Sequence, residues 1–149
     1  MSHVQETVDV AVPVRVAYDQ WTQFESFPEF MNGVERITQI DATHNHWVTK
    51  IAGVTREFDT EIIDQRPDER VAWRSTGGDT QHAGVVTFQP LAIDQTRVSV
   101  EIDWEPEGVA EKTGSALGID DYQVKADTKR FKEFIERRGT ETGAWRGTV

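Results

Sequence analysis

The chain has 149 residues, enough for one domain with a single core and too few for two ordinary ones. A formal net charge of −10 argues against nucleic acid, whose phosphates demand a basic surface, and against adsorption to anionic membranes. The sequence has no cysteine, which excludes disulfides, thiolate zinc sites, iron–sulfur clusters and cysteine nucleophiles.

Residues 3–12 alternate, with Val4, Val8, Val10 and Val12 in one phase, and so predict a strand with one wet face. Nothing after Met1 resembles a signal peptide, and no run approaches the roughly 20 apolar residues of a membrane span, so a cytoplasmic protein is expected. Pro13 stops the strand and suits a helix start. Residues 14–24 then place Val14, Ala17, Tyr18 and Trp21 at helical spacing. A second short helical turn is expected over 26–31, with Ser26 as its cap and Pro28 near its first position.

After Asn32-Gly33 come six strand-like segments, 34–41, 44–52, 54–65, 69–76, 82–90 and 95–104. Their separators are short and rich in Gly, Pro and Asp, which forces antiparallel hairpins because parallel strands need long crossovers. Residues 106–118 hold glycines that make either a short interrupted helix, a gate or a loose connection. Residues 120–138 predict a long helix with Val124, Phe131, Phe134 and Ile135 as its apolar stripe and Gly139 as its C-cap. The domain is expected over 1–139, with 140–149 a tail. One helix is too narrow to fill a strongly curved sheet of seven strands, so an α+β domain with an internal cavity follows.

Strand periodicity assigns the cavity-facing residues. Glu57, Asp59 and Glu61 must face water, which turns Phe58, Thr60 and Ile62 inward. Lys50 outward puts Trp47, Thr49 and Ile51 inside; Arg70 and Arg74 outward put Val71, Trp73 and Ser75 inside. Val98, Val100, Ile102 and Trp104 share a phase, as do Gly84, Val86 and Phe88. Extending the phases makes Arg56 and His82 polar intruders on the inner face. Each has two readings. In one, Arg56 meets a partner or an anionic ligand oxygen and His82 hydrogen-bonds a phenol or shuttles a proton; in the other, both sit at the sheet rim and reach solvent, or pair with Glu or Asp. The aromatics Trp47, Phe58, Trp73, Phe88 and Trp104 likewise read as plain core or as pocket lining. His44 and His46 form an H-x-H pair without a third ligand nearby, and no metal or cofactor is expected.

The chain also carries a resemblance. Its segments are Trp21-Thr22-Gln23-Phe24 into Phe27-Pro28-Glu29-Phe30-Met31, Pro67-Asp68-Glu69-Arg70-Val71-Ala72-Trp73, and Gly84-Val85-Val86-Thr87-Phe88. Further ones are Pro106-Glu107-Gly108, Arg130-Phe131-Lys132-Glu133-Phe134-Ile135-Glu136 and Thr142-Gly143-Ala144-Trp145-Arg146-Gly147. In order and motif it resembles the helix-grip superfamily of START lipid-transfer domains, pollen-allergen-like proteins and bacterial polyketide cyclases/dehydrases (SRPBCC). That resemblance implies a curved seven-stranded antiparallel sheet around a long C-terminal helix, with two short helices after the first strand. It implies a small hydrophobic partner, a lipid, aromatic or polyketide, bound for carriage, sensing or protection. It also admits an aromatase/cyclase-dehydrase acting on a poly-β-ketone. No universal catalytic motif comes with it, and a regulatory interaction module is the third class.

Overall fold

The computed structural model describes residues 2–31, 34–51, 54–78, 81–105 and 121–143. Strand β1 (Ser2–Val10) leads into helix α1 (Val14–Trp21) and a 3-10 helix (Phe24–Glu29). Six strands follow, β2 (Val34–Gln39), β3 (His44–Ile51), β4 (Val54–Arg66), β5 (Arg70–Gly78), β6 (Gln81–Ala92) and β7 (Gln95–Glu105), and then helix α2 (Asp121–Arg138). The strands form one antiparallel sheet in the order β1-β7-β6-β5-β4-β3-β2. Strands β2 to β7 are a meander, as their short separators require, and β1 pairs with β7 through Val8↔Val98 and its neighbours. The chain leaves β1 at one edge and returns as β2 at the other, so α1 and the 3-10 helix must cross one face.

Several boundaries differ from the sequence expectation. β1 ends at Val10, yet Val12 beyond it is still buried. Pro13 is the N-cap of α1, and the helix stops at Trp21, where the Thr22 amide and hydroxyl both donate to Asp19 O. The 3-10 helix opens at Phe24, two residues before the expected cap. Ser26 sits inside it and donates its hydroxyl to Gln23 O at 2.7 Å, and Pro28 is also internal. Gly139 has φ 72° and donates its amide to Ile135 O at 2.8 Å, the left-handed C-cap that the sequence called for. The segment 106–118 lies outside the described residues, as does Trp145.

Helix α2 is held to the end of β1 by polar ties. Lys132 Nζ donates to Asp9 O at 2.7 Å and to Glu136 at 2.8 Å, while Glu136 accepts the Ala11 amide at 2.7 Å. Phe131 and Phe134 of its apolar stripe pack on the crossing segment, and the side chain of Val124 lies outside the described ones. Phe131 meets Trp21 and Phe30, and Phe134 meets Phe30, with ring centroids 5.0–5.3 Å apart. Trp21, Phe24, Phe27, Phe30 and Phe131 are at most 2 % exposed, so this end of the core is sealed. Phe88 joins it through Tyr18, at 5.4 Å.

Candidate functional site

A second aromatic group lies further along the inner face, on β3, β4, β5 and β6. Trp47 stacks on Phe58 at 5.6 Å and on Trp73 at 6.3 Å, and Phe27 joins this group to the sealed end at 5.9 Å. Trp47, Phe58, Trp73 and His82 are 4–8 % exposed, as are Phe134 and Phe88, and all are buried. Their polar edges are deliberately paired. Trp47 Nε1 donates to Thr60 Oγ1 at 2.9 Å, and Trp73 Nε1 donates to His82 Nε2 at 3.2 Å. The His82 amide donates to Ser75 Oγ at 3.0 Å.

Gly84 makes the Trp73 position possible. It is the registered partner of Trp73 across β5 and β6, and a Cβ on it would fall 2.4 Å from Trp73 Cζ2. With no side chain there, the indole lies over β6. Its N–H then reaches His82, two residues along the same face.

His82 is therefore not at the rim beside a carboxylate. It is buried, with its ring edge-on to Phe58 at 4.8 Å and to Trp47 at 6.4 Å. Burial alone pushes its pKa down to about 4, so the ring is neutral near pH 7. Its Nδ1 is buried and has no hydrogen-bond partner among the described residues.

The other expected lining residues divide. Thr49 and Thr60 are buried beside the wall, and Thr49 Oγ1 donates to Arg56 O at 3.3 Å. Arg56 is half-buried, in register with Thr49 near the β3–β4 turn, and Ser75 is half-buried as well. Val86, Phe88 and Val100 point inward and belong, like Trp47, Phe58 and Trp73, to one buried hydrophobic core. Ile51 and Trp104 occupy backbone places opposite Val54 and His82, and their side chains lie outside the described ones.

Sequence reasoning missed Asn45 and Gln65, both 1 % exposed, each with its side-chain oxygen unpartnered among the described residues. Asn45 was in phase with Trp47 and was there to be read. Gln65 was not, because β4 changes phase before it.

The H-x-H pair lies on the outer face. His44 Nδ1 is 2.9 Å from Asp41, while His46 Nδ1 and Nε2 are 2.7 Å from Asp59 and 3.0 Å from Glu57. Hydrogen bonds accepted by Asp59 and then by Glu57 raise the His46 pKa. Among the described residues no three His, Cys, Asp or Glu are grouped to hold a metal. Two open surface grooves occur there, one along α2 at Lys125, Lys129 and Arg130, the other at Gln23, Glu25 and Gln39, and neither contains an expected lining residue.

A curved antiparallel sheet with a crossing helical segment and a C-terminal helix is the helix-grip fold. The chain belongs to the family described as polyketide cyclase / dehydrase and lipid transport, which matches residues 10–133. The uncharacterized 17.2 kDa protein of the melC2-rnhH intergenic region of Streptomyces lincolnensis is 56 % identical over 149 residues, covering 100 % of this chain and 99 % of that one. The Zhui aromatase/cyclase of a Streptomyces species superposes with a TM-score of 0.77 at 15 % identity, over 97 % of this chain and 99 % of that one. A START superfamily protein from Mycobacterium smegmatis gives 0.72 at 16 % identity, over 91 % and 95 %. Identities this low establish shared fold, and the residues above must carry any statement about chemistry.

Proposed function

We propose that this protein binds one flat, largely apolar molecule, aromatic or polyketide-like, against the Trp47–Phe58–Trp73 wall, for carriage, sensing or protection. The observation behind this reading is the contrast between two aromatic groups in one core. Phe24, Phe27, Phe30, Phe131 and Phe134 carry no polar side-chain atoms, whereas the wall has Thr60 and His82 hydrogen-bonded at its indole edges and a buried His82 nitrogen without a partner among the described residues. An apolar surface with a few placed polar groups is the usual make-up of a small-molecule site. The family description, which joins polyketide chemistry to lipid transport, supports the same ligand class.

Binding is favoured over cyclase chemistry by the state of His82. A proton shuttle works best with a pKa near the operating pH and an orienting acid, whereas this ring is held neutral by burial with no charged group acting on it. Native mass spectrometry of freshly purified protein, followed by tryptophan quenching with flat aromatic compounds, tests the reading. A retained small molecule or saturable quenching is expected. Lack of both would refute it.

A further inference from the structure

The inner face holds a hydrogen-bond donor whose identity can be worked out from its neighbours. An indole N–H can only donate, so the Trp73 Nε1 contact at 3.2 Å requires a lone pair on His82 Nε2. The single proton of the neutral ring is then on Nδ1. That nitrogen is buried and unpartnered among the described residues, although buried donors in native proteins nearly always find an acceptor. The ring cannot turn over to relieve this without breaking the Trp73 contact. Gly84 in turn keeps the Trp73 indole in place.

We propose that His82 is the polar anchor of the bound molecule, a fixed Nδ1–H donor that selects flat apolar ligands bearing an acceptor oxygen such as a ketone. The inference rests on the binding reading above and deepens it. It makes His82 a specificity-determining donor, set by Trp73 as a positioning residue, and gives the ring no part in abstracting a proton.

Fluorenone and fluorene test this, since they share a shape and differ by a carbonyl in place of a methylene. Their affinities are measured by tryptophan quenching for wild type, His82→Phe and Trp73→Phe. The ratio of the two affinities cancels differences in bulk hydrophobicity when compared between proteins. It should fall about tenfold in His82→Phe, and should also fall in Trp73→Phe, which keeps a ring but frees the tautomer. Long-range nitrogen–proton NMR of the wild type should show the proton on Nδ1. A proton on Nε2, or a ratio unchanged in His82→Phe while both probes bind, overturns the anchor and leaves the binding reading standing. Failure of both probes to bind overturns the anchor and, where native mass spectrometry also finds no retained molecule, the binding reading with it. Should His82→Phe not fold, the NMR result and Trp73→Phe decide the question.

Discussion

At the scale of single residues, the wall depends on one missing side chain and one uncharged ring. Gly84→Ala puts a methyl 2.4 Å from Trp73 Cζ2, so the indole must leave its place over β6. Overpacking of this kind costs about 1–3 kcal/mol. Urea unfolding should show that loss together with an altered near-ultraviolet tryptophan signal; an unchanged signal would mean the indole has room to spare. His82 adds a pH dependence of known sign. Its pKa is about 4 when folded against 6.5 when free, so between those values the unfolded chain takes up a proton that the folded ring refuses. Stability is complete above pH 6.5 and falls as pH drops toward 4, by about 3 kcal/mol in all. Urea unfolding across this range should give His82→Phe a flatter profile than wild type. Parallel profiles would show that other groups cause the acid sensitivity. His46 acts with the opposite sign. Its raised pKa adds stability below 6.5 that fades as pH climbs through the folded value, and the effect is small because the side chain is a third exposed.

At the scale of elements, the meander and the long helix were legible because each strand alternates and each separator carries breakers. The bulges were not, among them two between β4 and β5. In β4, Ile62 pairs with Trp73 and Asp64 with Ala72, leaving Ile63 as an extra residue. The bulge turns Ile63 outward, 47 % exposed, and brings Gln65 inward where strict alternation would place Asp64. A register slip of one residue has no mark in local composition, since Ile62-Ile63 reads equally well in either phase. In β5, Thr76 is the extra residue opposite Asp59/Thr60, beside the wall. The site was legible to the same depth. Alternation brought Trp47, Phe58 and Trp73 to one face, whereas the burial of His82 depended on a Trp73 contact made across strands. Long-range polar ties were invisible for the same reason. Gln20, fully buried in α1, donates to Ser26 Oγ at 2.8 Å and to Thr142 Oγ1 at 3.1 Å, and accepts the Thr142 amide at 2.9 Å. Gln20→Leu should cost about 1–3 kcal/mol, because the groups it satisfied lose their partner. Hydrogen exchange should then find the Thr142 amide unprotected. Continued protection there would mean that other contacts hold residues 141–143.

At the scale of the whole molecule, the wall belongs to the same buried core as the sealed end, so a ligand held against it would be enclosed by the fold. Helix α2, α1 and the 3-10 helix seal one end through Trp21, Phe30 and Phe131, and the outer-face pair Arg97–Asp9 at 2.9 Å ties the edge strand β1 to β7. A ligand that binds only the folded form must stabilise the whole chain by mass action. At about a hundredfold excess over Kd that contribution is about 2.7 kcal/mol, and each kcal/mol raises the Tm of a chain this size by about 2–4 °C. A flat ketone such as fluorenone, added at that excess, should raise Tm by about 5–10 °C, read by near-ultraviolet circular dichroism. Fluorene at the same nominal concentration should raise it less, in proportion to its weaker affinity. Quenching without any rise in Tm would place the probe on a surface that survives unfolding, and not between the wall and the rest of the fold.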